Sequence, residues 1–325
     1  MNLYPLKFKP QLYAKIWGGK KLHELLHKEN VENAGESWEI SGVEGHCSVV
    51  SNGYLAENTL EELIEIYMGE LVGDQVYEKF GLSFPLLIKF IDANDDLSIQ
   101  VHPNDEMAAE KHNSYGKTEM WYIMQADKKG KLNCGFNTPM NRQLLEEKIA
   151  NGSLSEALNF IPVQQGDCFF IPAGTVHAIG KGLLVAEIQQ TSDITYRLFD
   201  YNRKDKEGNL RDLHVKDAAE AIDFNSENPK NVGGNKELES NKSSELVKCP
   251  YFTTNVLHLT QGIQKDIYGL DSFVIYLCVD GEAVVMHENN KELLKTGECI
   301  LIPASCHQFS LIPETKNCKL LEVHL

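Results

Sequence analysis

GDCFFIPAGTVH, running from Gly166 to His177, is the stretch that decides the fold. It reads G-x5-P-x-G-x2-H, with Gly166, Pro172, Gly174 and His177 at fixed offsets. The β-rich run Cys168, Phe169, Phe170, Ile171 leads into a Pro/Gly turn, and the turn presents one histidine at the start of the next strand. A second stretch, LSIQVHPND (Leu97 to Asp105), sets Gln100 and His102 two residues apart on an alternating strand. Their side chains therefore leave the same face. Strands upstream and downstream that each send ligands inward imply a metal site inside a small β-barrel.

The same unit occurs twice. KTGECILIPASCHQF (Lys295 to Phe309) echoes QQGDCFFIPAGTVHAI (Gln164 to Ile179). Gly297, Ile302, Pro303 and Ala304 follow Gly166, Ile171, Pro172 and Ala173 at one offset, and His307 matches His177 after a one-residue deletion. Two copies about 130 residues apart argue for two barrels in one chain. The second copy has no Q-x-H or H-x-H partner upstream, since VVMHENN offers only His287. The second barrel is read as structural, and His307 as a packed or surface histidine.

Zinc and related cations take three or four N or O donors converging at about 2.0–2.2 Å. The candidates are Gln100, His102, Glu119 and His177. Glu119 lies in GKTEMWYI, where Met120 to Ile123 reads as a strand beside that of Gln100 and His102. The 16 residues between His102 and Glu119 exceed a tight hairpin, and a short helix at 104–112 fills them. Two imidazoles, one carboxylate and a neutral amide leave a bound dication net positive, a Lewis acid toward a substrate carbonyl. Either histidine alone reads equally well as an ordinary strand-end residue; the combination points to ligation. His23, His27, His112, His214, His258 and His324 sit in helical, loop or terminal contexts and are read as solvated.

A Lewis acid is generic, so neighbours must specify the reaction. Lys117 precedes Glu119 by two residues, and a lysine beside a dication shifts toward its neutral form, as a proton carrier requires. Arg197 alternates with Tyr196 and Leu198 in QQTSDITYRLFDYNR, an unusual setting for an unpaired arginine. It reads as an oxyanion or phosphate clamp, or else as a salt bridge to Asp193 or Asp200. Lys89 lies amid apolar residues in PLLIKFIDA, and Ser98 faces the same way as Gln100 and His102. Both are candidate substrate contacts.

The net charge of −16 argues against nucleic acid and anionic membrane surfaces as partners. MNLYPLKFKP has no apolar h-region, and no run of about 18 apolar residues is present, so no membrane span is expected. Eight cysteines without a C-x-x-C pair read as reduced thiols of a cytoplasmic protein.

Along the chain, residues 1–55 read as strands and turns, and Thr59 to Phe80 as one helix opened by a Thr59–Glu62 capping box. Strands are expected at 84–93, 97–101, 120–124, 168–171 and 183–190, and helices at 104–112, 141–150, 153–158 and 214–222. The polar run 225–245 reads as a linker or surface loop. The expected organisation is a catalytic unit over 1–224 with helices, a linker over 225–246, and a second β unit over 247–325 without a convincing helix.

The two signature stretches resemble those of the cupin superfamily, which implies a mainly β chain of two jelly-roll-like barrels with a few short helices on the first. More specifically, AKIWGGKKL, GESWEISG, PLLIKFIDA, LSIQVHPND, GKTEMWYI, IPAGTVHAIG and TSDITYRLFDYNR resemble, in order, the type I mannose-6-phosphate isomerases, in their short bacterial form. The resemblance runs over about residues 3–222 and weakly beyond. It implies one Zn²⁺ per chain on Gln100, His102, Glu119 and His177, with a catalytic arginine at Arg197. It implies a lysine at Lys117 aiding proton transfer, and interconversion of mannose 6-phosphate and fructose 6-phosphate through a cis-enediol. Longer members carry histidine before that lysine; here the residue is Gly116. Fold alone leaves rivals. An iron-dependent oxygenase would favour an H-x-H pair where this chain has Gln100. A non-catalytic sugar-phosphate binder would not need Lys117 with a full ligand set. Among basic residues, Arg203, Lys204 and Arg211 are in range for a phosphate.

Overall fold

The computed structural model describes residues 2–204, 207–233 and 239–325. The first β unit consists of two antiparallel sheets. The larger runs in spatial order Gln11–Gly19, Ala34–Ser41, Leu86–Ala93, Leu183–Gln190, Glu119–Ala126, Cys168–Ile171. The smaller runs Tyr196–Phe199, Ile99–Val101, His177–Ile179, Lys131–Phe136, Leu158–Pro162. The second unit repeats the plan with a five-stranded and a four-stranded sheet. The chain is mainly β, as expected; among the described residues the ladders of each unit stay as two sheets rather than one closed ring.

Strand alternation explains the layering. In Leu86–Ala93, Leu86, Ile88 and Phe90 face one core, while Ile91 and Ala93 face another. Met120, Tyr122 and Met124 oppose Trp121 and Ile123 in the same way, and Leu184, Ala186 and Ile188 oppose Leu183 and Val185. The larger sheet is thus buried on both faces. Its inner face meets Leu132, Cys134 and Ile179 of the smaller sheet. Its outer face joins one continuous cluster with Phe273, Ile275, Leu277, Ile300 and Leu321 of the second unit. Phe84 and Phe273 stack with centroids 4.7 Å apart. The outer face of the smaller sheet (Ile99, Val101, Val176, Ala178, Tyr196, Leu198) is covered by helices Arg142–Ala150 and Val215–Ala221.

Several expected elements recur within a residue or two, including Leu183–Gln190, Cys168–Ile171, Asp105–His112 and Arg142–Ala150. The expected helix over 59–80 is instead three, Leu60–Tyr67, Gly69–Val72 and Asp74–Phe80. Its capping box is present. The breaks fall at Met68 (φ 48°) and Gly73 (φ 99°). At Gly73 a Cβ would lie 2.4 Å from the Asp271 carbonyl oxygen, so the second unit presses on the backbone there. Residues 153–158 form a 3₁₀ turn, Leu154–Ala157, not an α-helix. Within the polar run, Asn228 bonds both backbone groups of Phe136, and Asn231 bonds Cys168 N and Asp167. Residues 234–238 lie outside the described residues, and strand Ser243–Lys248 begins inside the run.

Candidate metal centre and cavity

Three short strands of the smaller sheet align one row of polar side chains. Gln100 pairs in register with Arg197 on one side and with His177 on the other. Residues directly opposite share a face, so all three point inward while Ile99, Val101, Tyr196, Leu198, Val176 and Ala178 point outward. His102 follows at the end of its strand, and Glu119 opens the facing strand of the larger sheet. The sequence-predicted ligands thus converge from three strands on two sheets.

His102, Glu119 and His177 are buried and offer ligand atoms within 4.8 Å of one another. The Nε2 atoms of the two histidines lie 3.1 Å apart, and each is 3.5 Å from a Glu119 oxygen. Each Nδ1 is turned outward: His102 Nδ1 donates to Ile194 O and His177 Nδ1 to Thr175 O, both at 2.8 Å. That fixes the tautomer leaving the Nε2 lone pairs inward, the arrangement found in metal-ligating imidazoles. Glu119 Oε1 is buried without a hydrogen-bond partner. An orphaned carboxylate oxygen facing two lone pairs is a costly arrangement unless a cation sits between them. The donor set fits a divalent metal. Gln100 lies at its edge, with its amide 3.4 Å from His177 Nε2 and 3.3 Å from Ser98 Oγ. Ser98 Oγ donates to the Gln100 amide oxygen, and the amide nitrogen points at the His177 Nε2 lone pair.

Lys117 stands just before the strand of Glu119, and its ammonium donates to Glu119 Oε2 at 2.6 Å and to His102 Nε2 at 2.8 Å. Burial pushes the His102 imidazole down to about 3, with Lys117 adding to the shift, and burial also lowers His177. For Glu119 burial acts upward, but Lys117 and the two imidazoles outweigh it and hold the carboxyl well below the usual range. The centre favours neutral imidazoles and an ionised carboxylate, the protonation states that metal binding needs.

A cavity of about 320 Å³ opens beside this cluster, lined by Ser98, Gln100, Lys117, Lys89, Arg197 and Arg211 among others. Across the larger sheet runs a ladder of alternating charge: Lys15 to Glu36 at 3.2 Å, Glu36 to Lys89 at 4.0 Å, Lys89 to Glu187 at 3.4 Å. Lys89 Nζ also lies 4.9 Å above the Trp38 ring. Burial acts to lower Lys89, but Glu187 and Glu36 outweigh it and raise its pKa. Burial, reinforced by Glu119, pushes the Glu187 carboxyl up. Glu36, Trp38, Glu187 and Trp121 were not singled out by spacing. A charged residue amid the apolar strand LLVAEIQQ was the available signal for Glu187.

Arg197 forms no ion pair among the described residues. Asp200 is engaged instead by Arg203 and Arg211, and Asp193 leaves Arg197 unpaired. Arg197 donates from Nη1 to Asp212 O at 2.8 Å, and its buried Nε has no partner. His214, expected to be solvated, brackets the Arg197 backbone through Nδ1 at 3.2 Å and its own N–H at 2.8 Å. His112 likewise meets Tyr196 Oη at 2.7 Å. Of the three loop cations, Arg211 lines the cavity, Arg203 is tied to Asp96 O and Asp200, and Lys204 is exposed. In the second unit Ile267 stands opposite His307 where Gln100 stands opposite His177, and His307 is exposed against Tyr268.

Comparison with known proteins agrees with this geometry. Residues 5–136 match the family described as phosphomannose isomerase type I, catalytic domain, and residues 242–325 match the mannose-6-phosphate isomerase cupin domain. The chain is 36% identical to the mannose-6-phosphate isomerase ManA of Bacillus subtilis over 96% of each chain. It is 35% identical to the Streptococcus mutans mannose-6-phosphate isomerase over 92% of each. A crystal structure of a Bacillus subtilis mannose 6-phosphate isomerase superposes with TM-score 0.86 at 30% identity, covering 99% of both chains. None of the eight cysteines is in a disulfide, and no helix among the described residues is long and apolar enough to cross a membrane.

Proposed function

The chain belongs to the type I phosphomannose isomerases, and from that membership we propose how its own residues divide the work. It is a mannose-6-phosphate isomerase, interconverting mannose 6-phosphate and fructose 6-phosphate. Gln100, His102, Glu119 and His177 hold one divalent cation, which the two-nitrogen, oxygen-rich donor set suits as Zn²⁺. When bound, the cation supplies Lewis-acid polarisation of the substrate's carbonyl oxygen.

The rest falls to the protein. Lys117, whose Nζ touches Glu119 and His102, takes the proton from C2 as a free amine and returns it to C1 from the resulting ammonium, through a cis-enediol. Arg197 offers an unpartnered Nε to the oxygen on which charge develops, preorganised by His214 on its backbone. Ser98 and Lys89 line the cavity as hydroxyl contacts, and Arg211 faces it for the phosphate. A cavity lined by five Lys and Arg against three Asp and Glu favours an anion although the chain as a whole is acidic. Eight cysteines without a disulfide suit a cytoplasmic setting.

One observation carries this reading: the orphaned Glu119 Oε1 facing two outward-anchored imidazoles. The test is a coupled assay of mannose 6-phosphate turnover before and after chelation. Loss on chelation and recovery with Zn²⁺ supports it. Metal-loaded, folded protein that binds the sugar phosphate without turnover returns the binding-module reading.

A further inference from the structure

The residues from Pro103 to Gly116 leave the metal-binding strand after His102 and return at Lys117, with helix Asp105–His112 in between. Where Lys117 arrives depends on how this excursion is closed. Lys117 N donates to Pro103 O at 3.0 Å. A second set of closures passes through one carboxylate. Asp105 Oδ1 accepts Gly116 N–H at 2.9 Å and Gln190 Nε2 at 2.9 Å, and Gln190 Oε1 in turn accepts Thr118 N–H at 2.8 Å. Asp105 therefore grips the backbone on both sides of Lys117, directly at Gly116 and through Gln190 at Thr118.

The second oxygen of that carboxylate is held from outside the catalytic unit. Tyr251 Oη donates to Asp105 Oδ2 at 2.7 Å. Tyr251 sits in the tight turn joining Ser243–Lys248 to Thr253–Leu259, where Cys249 N donates to Phe252 O at 3.0 Å and Phe252 is buried. A short, anchored turn is a stiff support. Tyr251 is raised to about 12 by burial and by Asp105. Burial acts to raise Asp105, but the Tyr251, Gln190 and Gly116 donors outweigh it and hold it below its ordinary range. Donor and acceptor roles thus persist across any assay pH near neutrality.

We propose that Tyr251 of the second β unit is a positioning residue for Lys117, acting through Asp105. The inference rests on the isomerase reading and on Lys117 serving it. It assigns the second unit a part in turnover: it sets where Lys117 Nζ stands relative to Glu119 and His102. Gly116 belongs to the same device. A Cβ there would lie 2.6 Å from Asp105 N and 2.7 Å from Asn104 C, so the turn closes backbone to backbone. The histidine that longer relatives place there does not fit this closure.

The experiment uses full-length, metal-replete protein. Wild-type turnover of mannose 6-phosphate comes first; its absence would overturn the isomerase reading, whereas the variants, read on active protein, test the Tyr251 contact separately. In active protein, Tyr251→Phe removes the hydroxyl and keeps the ring. A misplacement of catalytic groups by about 1 Å costs up to ~10²-fold, so kcat should fall about tenfold. KM should stay within about twofold and metal content should be unchanged. Asp105→Asn is the second variant, and its loss should not multiply with that of Tyr251→Phe. On a Lys117→Ala background, Tyr251→Phe should cost nothing further. Wild-type kcat in Tyr251→Phe, a rise in KM alone, or full multiplication with Lys117→Ala would each overturn the proposal.

Discussion

His102 and His177 face each other through Nε2 atoms 3.1 Å apart, and each gives its Nδ1 hydrogen to a backbone carbonyl outside the cluster. Two lone pairs at that distance repel unless something positive lies between or beside them. In this structure the Lys117 ammonium serves His102, and Glu119 completes the ring with one oxygen unpaired. The pair is built to share a cation.

Glu119→Gln should therefore empty the centre. Losing an outer partner of a metal ligand costs roughly 10–100-fold in affinity, and losing the only carboxylate should cost more. Metal analysis of dialysed protein should give about one ion per wild-type chain and a small fraction in the variant. Equal metal content in both would remove Glu119 from the ligand set.

The same histidines predict acid sensitivity. His102 is held at about 3 against an ordinary 6.5, so between those values the folded chain binds fewer protons than the unfolded one. Stability is full above the ordinary value and drains as pH falls toward the depressed one. His177 and Glu119 are shifted the same way. Urea denaturation of chelator-treated protein at about pH 7.5 and about pH 4.5 should show a larger loss in wild type than in His102→Gln. Equal losses would contradict the argument.

Arg197→Ala should lower kcat by about 10²–10³-fold, the scale of deleting one preorganised oxyanion donor. Arg197→Lys should recover little, because a point charge does not reproduce the fork that His214 and Asp212 orient. A KM effect with unchanged kcat would make Arg197 a binding residue instead.

Lys89→Met separates structure from binding. Its ammonium lies between buried Glu187 and partly buried Glu36, and removing one member of a buried charge set costs about 3–5 kcal/mol. The variant should melt markedly lower than wild type. An unchanged melting point with a raised KM would assign Lys89 to the sugar alone.

The candidate donors were legible because two of them lie on a period-two strand and a third follows a Pro/Gly turn, both local signals. Strand pairing was not. Ile99–Val101 and His177–Ile179 are three residues each, too short to show a period of their own, and Gln100 meets His177 only through register. Glu36 stood inside a quoted motif and Glu187 inside the expected strand 183–190, yet their partnership with Lys89 depends on three strands far apart in sequence. The helix over 59–80 was overextended because the cause of its second break, Asp271 against Gly73, lies in the other unit. Tyr251 had no signal at all, being a turn tyrosine whose partner is 146 positions away.

The larger sheet of the first unit is buried on both faces, and its outer side (Leu86, Ile88, Phe90, Met120, Tyr122, Ile188) packs into one cluster with the second unit's core. A gene cut short after the polar run would still encode every side chain of the metal centre. Its product would carry that oily face into water and stick to its neighbours. Substitutions that thin the second unit's greasy side therefore uncover the half that holds His102, Glu119 and His177.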